Sequence, residues 1–174
     1  MSFEKRKKLA DLKADSNALF EHRLAVLLEK KKQVVSSIRD EAIYFLNEQG
    51  FSINKSVLVN SPLQVEADYK GSMKIKIVLS DPADSFMGAD IILDVDYLKQ
   101  KFEFTVDLFR QSFDTIWEDD LDKAILDYIS QNEKISELNA ADINGNYKIT
   151  LIKSQNQKTE FENISDVLKF VLEM

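Results

Sequence analysis

Apolar residues recur at helical spacing over the first 49 positions: Leu9, Phe20, Leu24, Leu27, Val34, Val35, Ile38, Ala42 and Phe45 fall on one broad stripe at 100° per residue. Neither glycine nor proline occurs before Gly50, so the pattern predicts one helix that ends there. At 1.5 Å per residue such a helix runs ~70 Å, whereas a compact domain of the remaining size spans roughly 30 Å. Part of it is expected to overhang, with apolar residues that need a partner. Lys13 and Ser16 interrupt the stripe once and Lys31 interrupts it again, leaving one patch at residues 19–28 and another at 34–46. The second patch is assigned to the core. The first, with Leu19, Phe20, Leu24, Val26, Leu27 and Leu28, covers more than one face and suits a short homodimer seam. A long regular coiled coil is not expected, because the spacing of seven through Phe20, Leu27 and Val34 fails on either side. Asp15, Ser16 and Asn17 are N-cap residue types, so a break into two helices there is the alternative.

After Gly50 the period changes to two. Leu63, Val65, Ala67 and Tyr69 alternate with polar residues, and after Lys70-Gly71-Ser72 so do Met73, Ile75, Ile77 and Leu79, which predicts a hairpin. Two more strands follow, with Ile91, Leu93, Val95 and Tyr97, then Phe102, Phe104, Val106 and Leu108, on the same apolar face. Pairing in chain order sets Lys74 and Lys76 between Glu66/Asp68 and Asp94/Asp96, a favourable cross-strand arrangement. The run 55–60 is read as a further short strand. Ser112 or Asp114 is expected to cap a helix that lays Ile116, Trp117, Leu121, Ala124, Ile125, Tyr128 and Ile129 on the sheet. Strands at 147–152 and 159–163, joined by a polar turn at 153–158, precede a last helix capped by Ser165.

The expected fold is therefore α+β: a long N-terminal helix, a four-stranded antiparallel meander, a covering helix, a hairpin and a C-terminal helix. Residues 1–50 form the helix and 51–174 an acidic body, as one folding unit. This element order is similar to that of small acidic secretion chaperones, which are dimers with helices on one side of a sheet. It differs by an extra strand and a longer first helix.

Charge refines the picture. The chain of 174 residues carries a formal charge of −7, with the first 50 residues mildly basic and the remainder acidic. An acidic body disfavours direct nucleic-acid binding and favours a basic partner surface. Between Asp81 and Asp127 thirteen acidic residues face four basic ones, and Glu118, Asp119, Asp120 and Asp122 line one side of the helix expected there. No cysteine is present, which removes disulfides and thiolate chemistry, and no apolar run approaches a membrane span, so a cytoplasmic protein is expected.

Catalytic motifs are absent from the sequence. His22, the single histidine, is read as a helix-surface residue, and the four isolated glycines form no phosphate loop. Asp94, Asp96, Glu103 and Asp107 project from one sheet face and could recruit a hard divalent cation for hydrolysis, although alternation alone also puts polar residues there. The leading expectation is a non-enzymatic interaction module without cofactor, dimeric through Leu19, Phe20, Leu24, Leu27 and Leu28, that binds a basic macromolecule through Glu118, Asp119, Asp120 and Asp122. A metal-dependent hydrolase or nuclease and a structural subunit of a helical assembly are the alternatives.

Overall fold

The computed structural model describes residues 2–152 and 158–174. The elements are α1 (Phe3–Glu48), β1 (Ser52–Ile53), α2 (Lys55–Asn60), β2 (Gln64–Tyr69), β3 (Met73–Leu79), β4 (Ile91–Tyr97), β5 (Gln100–Leu108), α3 (Leu121–Leu138), β6 (Tyr147–Leu151), β7 (Thr159–Phe161) and α4 (Ile164–Glu173). The α+β class, the long first helix, the antiparallel sheet and the C-terminal helix are as expected. The strand count and order are not. Seven strands form one antiparallel sheet in chain order, so the pair expected as a separate hairpin joins the meander through β6 against β5, and β1 adds an edge. The run 55–60 is helical because the Asn54 side chain caps it, accepting from the Val57 N–H at 3.3 Å. Of the polar turn expected at 153–158, only Lys158 lies within the described residues.

α1 is continuous through Asp15, Ser16 and Asn17. It stops where glycine permits: Gly50 has φ +83°, its N–H donates to Asn47 O and the Phe51 N–H donates to Leu46 O, both at 2.9 Å. This pair of bonds is a Schellman motif, and a Cβ at Gly50 would lie 3.2 Å from the Tyr69 ring.

The chain divides into two compact units, and the division crosses α1 between Glu29 and Lys30. Unit 2 comprises residues 30–109 and 145–174. Its strands alternate strictly, burying Val65, Ile75, Ile77, Leu93, Val95, Phe104 and Ile149 on one face. Val34, Ile38, Ala42 and Leu46 from α1, and Ile164, Val167, Leu168 and Val171 from α4, supply the buried helical side of the unit, each large side chain contributing about 1.5–3 kcal/mol on burial. A hydrogen bond from Ser165 Oγ to Glu41 Oε1 (2.8 Å) ties α4 to α1. Asn163, not Ser165, caps α4, accepting from the Asp166 N–H at 2.9 Å. Lys31 is buried but satisfied, its ammonium donating to Asp84 O at 3.1 Å.

Unit 1 comprises residues 1–29 and 110–144, so its second segment is an excursion between the adjacent strands β5 and β6. The segment first runs back along α1: Gln111 lies beside Arg23, Phe113 packs edge-on against Phe20 with centroids 5.9 Å apart, and Glu118 pairs with Lys13 at 2.8 Å. α3 then returns parallel to α1, from Asp122 against Lys5 (2.7 Å), through Ala124 and Ile125 in one buried cluster with Leu9, to Asp142 against Arg23 beyond its end. The helix expected from Ser112 or Asp114 is thus corrected. It begins at Leu121, where the Asp120 carboxylate accepts from the Asp122 and Lys123 N–H groups, and its apolar stripe is satisfied by α1 within unit 1. Trp117, expected on that stripe, is 75% exposed on the returning strap.

Candidate interaction surface

Burial along the first half of α1 follows Leu9, Ser16 and Arg23, seven residues apart. Ser16, which with Lys13 interrupts the apolar stripe in the sequence, therefore belongs to the packed seam. Arg23 is 6% exposed and makes two bonds of 2.8 Å to the Asp142 carboxylate, a fork that matches its planar geometry. The guanidinium also reaches Gln111 O at 3.4 Å and sits 5.1 Å over the Phe113 ring, while the Gln111 N–H donates to Asp142 Oδ2. The Arg23 bonds hold the Asp142 carboxyl down at about 2, against burial that works the other way. This ion pair locks the strap, the end of α3 and α1 together.

Between α1 and α3 lies an open groove of about 740 Å³. Leu12, Ala18, Leu19 and Ile129 make its apolar lining, and Asp15, His22, Asn132, Glu133, Ser136 and Glu137 make its polar lining. Among the described residues no lysine or arginine lines it. Asn132 is 9% exposed; its Nδ2 donates to Leu12 O at 3.1 Å, and its Oδ1 has no hydrogen-bond partner among the described residues.

The residues expected to form a dimer seam are split in their surroundings. Leu19 faces the groove, Phe20 packs on Phe113, Leu27 and Leu28 are half-buried, and Leu24 is 63% exposed. Much of the apolar demand of the arm is thus met inside the chain. Of the four acidic residues expected to form a binding row, Glu118 pairs with Lys13 and accepts from the Tyr128 hydroxyl, Asp120 caps α3 and Asp122 pairs with Lys5. The hydrogen bond from Lys13 draws the Glu118 carboxyl below its ordinary range. Asp119 is exposed and bears no such role among the described residues.

No family model, curated protein or solved structure matches the chain. The likeness of element order to secretion chaperones therefore carries no argument, and the residues themselves are the basis for any functional reading. Among the described residues no helix is long and apolar enough to cross a membrane.

In unit 2 lysines stand among the carboxylates Asp94, Asp96, Glu103 and Asp107. Asp94 and Glu103 are opposite one another in register, but Lys101 reaches both, at 3.1 and 3.2 Å, and its own pKa is raised first by the Asp94 bond and then by that to Glu103. Asp96 is in register with Lys76 on one side and Lys101 on the other. Asp107 accepts from the Thr105 hydroxyl at 3.3 Å and lies opposite Lys148. Among the described residues no three acidic or histidine side chains converge where a metal ion would be held. The sheet face is a lattice of cross-strand charge pairs, as alternation with lysine predicts.

Proposed function

We propose that the protein is a non-enzymatic interaction module whose unit 1 binds a basic macromolecular partner. The observation that carries this reading is the placement of charge. Residues 110–144 contain nine acidic and three basic side chains, and with residues 1–29 the unit totals fourteen against nine. Unit 2 holds the remaining sixteen and fourteen and is close to balance. A surplus of one sign on a small helical unit steers and selects an oppositely charged partner, chiefly through association rate, and the effect falls with ionic strength. The test is a titration of the full chain with poly-L-lysine, poly-L-glutamate and duplex DNA at several salt concentrations. Binding of the polycation alone, weakened by salt and by Asp114→Lys with Asp119→Lys and Asp127→Lys, is expected. Equal binding by that triple variant, or no binding at low salt, would overturn the reading.

Self-association through the first helix is a second reading, favoured by the 63% exposure of Leu24 within the patch of Leu19, Phe20, Leu27 and Leu28. Light scattering coupled to size exclusion should then show a dimer that Leu24→Lys converts to a folded monomer. A monomer at tens of micromolar in the unmodified chain removes this component.

A further inference from the structure

We propose that the groove between α1 and α3 receives an amphipathic helix of a partner protein, with apolar residues at three-to-four spacing and lysine or arginine beside them. The proposal rests on the basic-partner reading and gives that partner a form and a site. The shape comes from two parallel helices. Leu12, Asp15, Leu19 and His22 recur every three or four residues on α1, and Ile129, Glu133 and Ser136 do so on α3 with Asn132 beside them, so each helix presents one row to the furrow. A third helix laid along it would meet a ridge from each and complete a three-helix packing unit.

The chemistry of the furrow chooses the occupant. Leu12, Leu19 and Ile129 require apolar cover. Asp15, Glu133 and Glu137 stand beside them, and among the described residues none of these three pairs with a lysine or arginine. A helix with a purely apolar face would leave those carboxylates desolvated and unpaired, whereas one flanked by basic side chains matches them. The floor of the furrow is polar as well, at Asn132. A leucine would fill the same space on α3 without a polar atom, yet the chain keeps a buried amide whose Oδ1 accepts nothing, and such an orphan acceptor is costly. Its Nδ2 donates to Leu12 O at 3.1 Å, so the amide ties α3 to α1 at the floor of the furrow and holds the two rows in place.

The experiment is fluorescence anisotropy of the full chain with a labelled peptide of about four helical turns, bearing leucine at three-to-four spacing and Lys/Arg elsewhere. A peptide of the same composition with the leucines scrambled, and one with Glu replacing Lys/Arg, are the comparisons. The amphipathic basic peptide should bind at least about tenfold more tightly than the scrambled one, since ordered apolar contacts are the difference. Ala18→Trp, which enlarges an exposed alanine to fill the furrow, should remove about that factor, and Glu133→Lys with Glu137→Lys should weaken binding severalfold while preserving the fold by circular dichroism. Equal binding of the two basic peptides, unaffected by Ala18→Trp, would overturn the groove and leave the basic-partner reading standing. Failure of both basic peptides to bind at low salt would overturn both, as would preference for the acidic peptide. A dimer of the chain that Ala18→Trp dissociates would give the groove to a second copy and overturn the proposal.

Discussion

Replacement of Asp142 by asparagine isolates the ion pair that holds unit 1 together. In the folded chain the Asp142 carboxyl ionises near 2, against 3.8 for an unperturbed aspartate, and the main cause is the bond from Arg23. A difference of that size corresponds to about 2–3 kcal/mol of stability in the ionised state. Little of it is lost to solvent screening, because the two side chains are only 7% and 16% exposed. Since folding depresses this pKa, the contribution is fully present above pH ~4 and is lost as the pH falls toward ~2. Asp142→Asn should remove this pH dependence, and at neutral pH it should cost more than the titration implies, about 3–5 kcal/mol, because Arg23 stays buried without its anion. Arg23→Met combined with Asp142→Leu should recover most of that loss. Amide hydrogen exchange read by mass spectrometry at pH 7 and, after correction for intrinsic rates, at pH 3 resolves peptides of residues 110–144 from those of the sheet. A loss below ~1 kcal/mol in unit 1 at pH 7, or an acid sensitivity in Asp142→Asn equal to that of the unmodified chain, would refute the reasoning.

Other substitutions test separate parts of the fold. Gly50→Ala imposes a side chain at φ +83° and within 3.2 Å of Tyr69, so denaturant unfolding should show a loss of about 1–2 kcal/mol in unit 2. Asp120→Ala should cost about 1 kcal/mol by loss of the α3 cap, whereas Asp114→Ala should be near neutral; the opposite ranking would place the helix start at Asp114. Ile38→Ala, at a fully buried site of α1, should cost about 2–5 kcal/mol by thermal or urea unfolding.

The elements with strict periodicity were legible in the residues. β3 and β4 coincide with the alternating runs 73–79 and 91–97, and α1 could be followed to Gly50 because no breaker precedes it. The run 55–60 was ambiguous, because a short apolar stretch fits strand and helix alike until a cap such as Asn54 decides. The start of α3 is obscured in the sequence because residues 113–121 carry apolar side chains at helical spacing, yet Phe113 packs on Phe20 and under Arg23 and the strap is non-helical up to Asp120. Ser16 and Lys31 interrupt the apolar stripe by polarity alone, and polarity does not require exposure. A small hydroxyl fits a close helix contact, and a lysine can be buried when its ammonium finds a carbonyl. The Arg23 pair and the groove were out of reach, since Arg23 and Asp142 are 119 residues apart and only the return path of the strap brings them together.

The claim at the centre of this account is that unit 1, not the sheet face, meets a basic partner. Heteronuclear NMR of the ¹⁵N-labelled chain, titrated with the amphipathic basic peptide at low salt, tests it most directly. The account predicts shift changes concentrated at residues 12–22 and 118–137, reversed by added salt. Changes centred on β4 and β5, or none while the peptide remains in excess, would contradict it.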